Sequence, residues 1–345
     1  MIAISQVTTD DTTKAWTRYV EQHPLASAYH SLEWRRVVEE SFGHRAFYLM
    51  ATDEYNQTRG VLPLIFVSSR LFGHFLVSMP FFNYGGLLSD TIEARDSLLE
   101  AALGLGRNVG ASHIELRHEA RLELSWPCRN HKVSMRLDLP RDFETLWSRL
   151  PSKVRSQIRR AQKEHMEVRI GGRDILDDFH HVFVRNMRDL GTPVYARRFF
   201  DIILRTFPAE SRIVAVYFHG RPVAAGFVYG FRDTLEIPWA SSDRRYNRLA
   251  PNMLLYSSVL EFACRERFQR FDFGRCTVGS GTHRFKEQWG ARPVPLHWYY
   301  WSTSGRPMSE ASREHSMYGA AVKMWARLPL WATTVLGGPI VKNIP

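Results

Sequence analysis

The sequence predicts a mixed α/β protein built from two copies of one supersecondary unit, each a central sheet with helices against it. Three observations carry that prediction. Residues 47–117 read as strand, turn, strand, strand, helix, strand, and residues 213–273 repeat the order. The copies lie roughly 160 residues apart and share pattern rather than residues, which marks a duplicated architecture. The 345 residues, 44% hydrophobic and 13% aromatic, hold material for two cores.

Residues 12–42 read as two helical pieces. Trp16, Tyr19 and Val20 share a face, Pro24 ends that run, and Ser31 is expected to cap a second segment, SLEWRRVVEESFG, closing at Gly43. Arg35 and Arg36 lie there on a face that suits either water or a phosphate. The strands FYLMA, VLPLIFV and FLVSMPF follow, then the loop NYGGLL, a helix over 98–109 and a strand over 112–117. Gly85 and Gly86 serve a tight turn, leaving Asn83 and Tyr84 as candidate acceptor contacts.

Residues 150–170, LPSKVRSQIRRAQKEHMEVRI, form a basic helix between the copies. Lys153, Arg155, Arg159, Arg160 and Lys163 fall within eleven residues with no acid before Glu164, and Val154, Ile158 and Ala161 make a narrow buried stripe. Close like charges on a helix repel by roughly 0.3 kcal/mol per pair. An anionic partner relieves that; a solvated face is the alternative.

In the second copy, strands over 213–218, 223–229 and 235–240 precede a helix over 252–266 that starts after Pro251, and a strand over 270–273 closes the unit. Glu236 alternates with apolar neighbours, and Trp239 lies further along the same strand. The glutamate is a candidate general base for an incoming amine, or the partner of an arginine. The stretch after it, RFDFGRCTVGSGTHRFKEQWG, runs from a strand through a Gly-rich loop into His283, Arg284, Phe285 and Lys286. Clustered cations behind glycines that permit close approach suit an anion site; a solvated hairpin is the alternative.

Composition narrows the partners. Lys and Arg number 46 against 35 Asp and Glu, a formal charge of +11, so nucleic acid, a nucleotide-sugar, a polyprenyl pyrophosphate or an anionic membrane face are all expected classes. Cys128, Cys264 and Cys276 give neither a disulfide framework nor a CxxC site, and a reduced, cytoplasmic compartment is expected. The 14 histidines show no HExxH spacing, and no metal is expected. The amino terminus lacks a signal-peptide pattern. After a helix over 309–327, the apolar stretch 328–341 is too short to span a bilayer and is interrupted by Pro329, Gly337, Gly338 and Pro339. Trp325 and Trp331, with Lys323, Arg327 and Lys342, make an edge suited to peripheral contact with a membrane or to packing on the first domain.

The duplicated unit, KVRSQIRRAQK, FNYGG and above all FDFGRCTVGSGTHRFKEQWG resemble the FemAB/FemX peptidyltransferase family over nearly the whole chain. The nearest pattern is its FemAB-like subgroup associated with exosortase/PEP-CTERM and exopolysaccharide systems. The resemblance implies an α/β (α+β) fold of two tandem GNAT-like domains with mixed central sheets. The expected domains are 1–145, then 146–305 with the catalytic motif, then a tail over 306–345. It also implies metal-free transfer of an aminoacyl group from aminoacyl-tRNA to an amine of a peptidoglycan precursor. Lys286 would stabilise the developing oxyanion. Phe285 would shape the site, and Arg284, His283, Arg275 and Trp239 would contact substrate.

Two departures matter. The long helical hairpin of some Fem proteins is missing. The turn DRRYNRLAPNML lacks the glycines that cradle a CoA pyrophosphate, so aminoacyl-tRNA is preferred over acyl-CoA as donor. Lys153, Arg155, Arg159, Arg244, Arg245 and Arg248 are the expected donor or RNA contacts. No covalently bound cofactor is implied. The expected acceptor is a sugar or peptide carried on a nucleotide or polyprenyl pyrophosphate, in a cleft between the domains. The rival readings are an acyl-CoA-dependent N- or O-acyltransferase and a non-catalytic RNA- or membrane-binding module.

Overall fold

A computed structural model describes residues 1–69, 72–302 and 322–344. The chain starts with an edge strand, β1 (Ala3–Gln6), and two helices, α1 (Asp10–Gln22) and α2 (Trp34–Phe42). The Thr9 hydroxyl accepts from the Thr12 N–H and the Thr12 hydroxyl accepts from the Thr9 N–H, closing a capping box that starts α1. Ser31 does not cap α2. A 3-10 turn over Ala28–His30 uses up that stretch, and α2 starts after Glu33, ending at Gly43 with φ 71°.

Next come β2 (Arg45–Thr52), β3 (Thr58–Ser69), β4 (Gly73–Val77), a short β5 (Leu88–Ser89), α3 (Ile92–Asn108), β6 (His113–His118) and β7 (Cys128–Arg129). β4 ends at Val77 rather than running on, because Met79 and Phe81 take left-handed φ values of 55° and 73°. α3 begins ahead of its apolar repeat because Thr91 caps it on the Ala94 N–H.

The chain continues through β8 (Lys132–Asp138), α4 (Phe143–Arg149), α5 (Ser152–Gln162), β9 (Glu167–Gly171), α6 (Leu176–Asp189), α7 (Arg197–Thr206), β10 (Ser211–Phe218) and β11 (Arg221–Phe231). There follow β12 (Thr234–Ser242), α8 (Pro251–Arg265), β13 (Arg270–Thr277), α9 (Gly281–Glu287), β14 (Arg292–Pro295), β15 (His297–Ser302) and α10 (Leu330–Val341).

Among the described residues the strands form two mixed sheets. The first runs β1-β2-β3-β4-β6-β15-β7, with β5 on β3, and the second runs β14-β8-β13-β12-β11-β10-β9. Paired element by element, β1-β2-β3-β4-β6-β15 matches β9-β10-β11-β12-β13-β8. In both, two helices precede the second of these strands, and one helix joins a parallel pair, β4/β6 or β12/β13. Leu62, Leu64, Leu98, Ile114 and Leu116 belong to the first core, and Val214, Val228, Ile237, Leu255, Val259 and Phe271 to the second.

The chain divides into two units along these sheets, and the division differs from a cut near residue 145. β8 pairs with β13 in the second sheet, while β15, from beyond the second copy, pairs with β6 in the first. Each sheet thus takes its strand beside β6 or β13 from outside its own repeat, which a linear reading of the repeats does not anticipate. The helix expected over 309–327 lies mostly outside the described residues. α10 packs on α6 of the second unit, and an added Cβ at Gly337 would lie 2.6 Å from Val194.

Candidate active site

β12 and β13 run side by side, but their parallel pairing stops early. Thr234, Leu235 and Glu236 register with Arg270, Phe271 and Asp272, and no further rung joins them among the described residues. Both strands continue, to Ser242 and Thr277. Each also carries a bulge just past the last rung. Ile237 and Pro238 oppose the single Val228 of β11, and Phe273 and Gly274, with Gly274 at φ 76°, oppose the single Met135 of β8. Bulges bend strands and increase local twist. Here they splay the pair into a fork whose facing edges make no rungs with each other.

Lys286 lies at this fork. The Ser280 hydroxyl starts α9 by accepting from the His283 N–H, and one turn later the helix points Lys286 inward. The side chain is only 7% exposed. Its Nζ donates to the Gly274 carbonyl at 2.8 Å and the Arg275 carbonyl at 3.1 Å, two groups beside the β13 bulge. An ammonium has three N–H donors, so one finds no partner among the described residues. Burial pushes the Lys286 pKa down. The negative fields of Cys276, Asp272 and Glu236 oppose that shift, and Arg275 adds to it.

Asp272 anchors the fork. Fully buried, it accepts from the Ser134 hydroxyl at 2.5 Å, the Arg136 Nε at 3.0 Å and the Gly274 N–H at 2.7 Å. It therefore holds the bulge that presents carbonyls to Lys286. Glu236, across the last rung, is 3% exposed. Reading FDFG as strand alone passes over this carboxylate; an acid between two buried phenylalanines was its visible signal. Cys276 is buried, its thiol pushed up by burial, which makes it a poor thiolate nucleophile.

The other residues singled out from the sequence fall in several places. Phe285 packs edge-on to Tyr256 at 5.1 Å and against Trp289, so it holds α9 on the core. His283 Nδ1 is 4.0 Å from Glu287, and its Nε2 is buried with no partner among the described residues. Arg275 and Arg284 are exposed. Trp239 joins an aromatic group with Tyr195, Phe199, Phe200 and Phe227.

The basic residues divide by what they touch. Arg245 is held by Asp243 at 2.6 Å and lines an open groove of about 570 Å³ with Arg185 and Arg221. On α5, Arg159 covers the Trp147 ring at 5.6 Å, and Arg160 donates to the Arg248 carbonyl at 2.7 Å, which brings this helix to the turn before α8. Lys153, Arg244 and Arg248 are exposed and Arg155 half-buried. That turn ends at Ala250, which takes the left-handed φ of 53° without being glycine, and α8 starts at Pro251 with no side-chain cap. The missing glycines therefore do not prevent the tight turn, and no side chain caps the amino end of α8.

In the first unit, Tyr84 is buried edge-on to Tyr29, and Gly86 is pressed on His118, where a Cβ would lie 2.5 Å from the ring. Tyr84, His23, His30, Arg117 and His118 line a cavity of about 90 Å³ there. Asn83 precedes Tyr84 in the same loop. Arg35 is tied to Glu39 and the Val7 carbonyl, and Arg36 to Glu40 at 2.6 Å, so both are engaged on α2.

Comparison with known proteins bears on the fold. Residues 148–287, from the end of α4 through α9, match a family model described as an acetyltransferase (GNAT) domain. No curated protein matches the chain by sequence. Among solved structures, FemX is similar over 87% of this chain and 97% of its own at 12% identity, with a TM-score of 0.68. The C-terminal domain of a putative lysylphosphatidylglycerol synthetase from Agrobacterium fabrum is similar over 85% and 92% at 11% identity, TM-score 0.56. A tandem GNAT protein from the clavulanic acid biosynthesis pathway is similar over 89% and 100% at 11% identity, TM-score 0.55. At these identities the likeness is one of fold: the chain is two tandem GNAT-like units, the second carrying the acetyltransferase-domain match and the fork with Lys286.

Proposed function

We propose that the chain is an acyl- or aminoacyltransferase whose chemistry takes place at the fork between β12 and β13. The observation that carries this reading is a buried ammonium, Lys286, with one N–H uncommitted beside two unzipped strand edges. An acceptor amine attacks the carbonyl carbon of an ester or thioester. The new C–N bond forms as the carbonyl pair moves onto oxygen, where the Lys286 N–H stabilises it in a water-poor site. The pair then returns as the C–O or C–S bond breaks, and Glu236 takes the proton from the amine and passes it to the leaving oxygen or sulfur. The edges of β12 and β13 past the last rung can hold an extended donor or acceptor chain as an added strand.

In the finer reading the chain is FemAB-like, of the exopolysaccharide-associated kind. It modifies an amine or hydroxyl of a cell-envelope precursor carried on a nucleotide or polyprenyl pyrophosphate. An aminoacyl-tRNA donor is supported by the basic α5 and the exposed Arg244 and Arg248 near its contact with the turn. One observation favours acyl-CoA instead: the uncapped amino end of α8 behind Ala250 suits a diphosphate.

The test is thermal stabilisation of the purified chain by charged tRNA and by acyl-CoA, followed by mass spectrometry of an amine acceptor. Stabilisation and transfer with charged tRNA support the first donor, and with acyl-CoA the second. Transfer undiminished in Lys286→Met contradicts both.

A further inference from the structure

A helix that packs on a protein surface normally turns its large apolar side chains inward and its small or polar ones outward. α10 does the reverse. Its packed face is Ala332, Thr333, Gly337 and Val341, small except at its end. Its outer face carries Trp331, 73% exposed, Val335, 66%, and Leu336, 47%, and Met324, in the helical residues before it, is 66% exposed. Trp331, Val335 and Pro339 follow at i, i+4 spacing and so form one stripe. Residues 322–344 contain no acid, while the exposed Lys323, Arg327 and Lys342 flank the helix.

We propose that α10 is an interfacial anchor that lays Trp331, Val335 and Leu336 into an anionic lipid surface, with Lys323, Arg327 and Lys342 among the headgroups. Apolar bulk, an interfacial tryptophan and flanking cations are the composition such a surface selects. At 1.5 Å per residue the helix is about 18 Å long, short of a bilayer core of roughly 30 Å, so it lies on the surface. No described helix is long and apolar enough to cross a membrane. A second copy of the chain is a poorer occupant, because pairing this face with itself brings like cations together.

The test is co-sedimentation of the full chain with vesicles of phosphatidylcholine alone and of equal parts phosphatidylcholine and phosphatidylglycerol. The chain should bind the anionic vesicles, more weakly at high salt, and not the neutral ones. Trp331→Ser combined with Val335→Ser should weaken binding by about tenfold or more with an unchanged melting temperature, since both side chains are exposed. Charge reversal at Lys323, Arg327 and Lys342 should do the same. No binding to anionic vesicles, or binding that survives the serine variant, overturns the proposal. So does a dimer, seen by light scattering, that the serine variant dissociates.

Discussion

The two sheets contain the same fork, and they treat it differently. In the first, β4 and β6 pair through Val77 and Glu115, and the opening is stitched further: the Ser78 N–H donates to the Glu115 carbonyl and the Arg117 N–H to the Ser78 hydroxyl. Arg117, buried, then bonds Glu115 at 2.6 Å and the Phe82 carbonyl at 2.8 Å, with Trp298 against its guanidinium. In the second, Asp272 holds the register position of Glu115, but a bulge follows it and a lysine with a spare donor lies there. Duplication preserved the topology; side chains decided which copy closed its fork. A buried acid and cation in the first copy serve stability, and in the second they frame the site we propose for the reaction.

The largest expected effects separate these roles. Lys286→Met should reduce transfer by about 10²-fold or more, while the fold survives because a buried charge is replaced by an apolar chain of similar length. Arg117→Met should do the opposite. It strands Glu115 in the core at a cost of about 3–5 kcal/mol, measured by denaturant unfolding, with the rate per folded molecule near the parent value.

The copies should also differ in pH response. His118 in the first unit is pushed down to about 3 by burial, with His30 and His297 adding to it. Below the unfolded value near 6.5 the unfolded chain binds a proton that the folded one does not. Stability should therefore fall from about pH 6.5 towards pH 3, by at most about 1.4 kcal/mol per unit, and His118→Asn should flatten that limb. Lys286 acts at the other end: with its folded value lowered, stability should rise with pH between that value and 10.5.

Smaller effects test the backbone. Gly86→Ala should destabilise by about 1–3 kcal/mol through its clash with His118. Gly274→Ala should cost about 1–2 kcal/mol for its left-handed φ, and should lower the rate as well because Asp272 holds that bulge. The smallest effect is Arg36→Ala, at most about 0.5 kcal/mol, because its pair with Glu40 is solvent-exposed. Urea unfolding and initial rates check all three.

Much of the architecture was legible because strands buried on both faces, such as β3 and β11, are written as apolar runs, and α1, α8 and their neighbours carry helical spacing. β8 and β15 were not assigned. Those two strands find their sheet through long-range pairing, which no local pattern encodes. In the site, Lys286 stood out as a cation in a motif. Its anchor, Asp272, did not, because what makes it important is its hydrogen bonds from Ser134 and Arg136 of β8 and from the Gly274 N–H. The arginines of α2 illustrate the converse: exposed-looking cations that the helix itself occupies with Glu39 and Glu40.

The most direct test of the central claim is the pH dependence of the transfer rate, with Lys286→Arg alongside the parent chain. If a protonated Lys286 stabilises the oxyanion, the parent rate should fall as pH rises, with a midpoint below the ordinary lysine value of 10.5. The residual rate of the arginine variant should show no fall in that range, since a guanidinium stays charged. An alkaline fall of the same midpoint in both proteins, or a parent rate that stays level up to 10.5, contradicts the role given to Lys286.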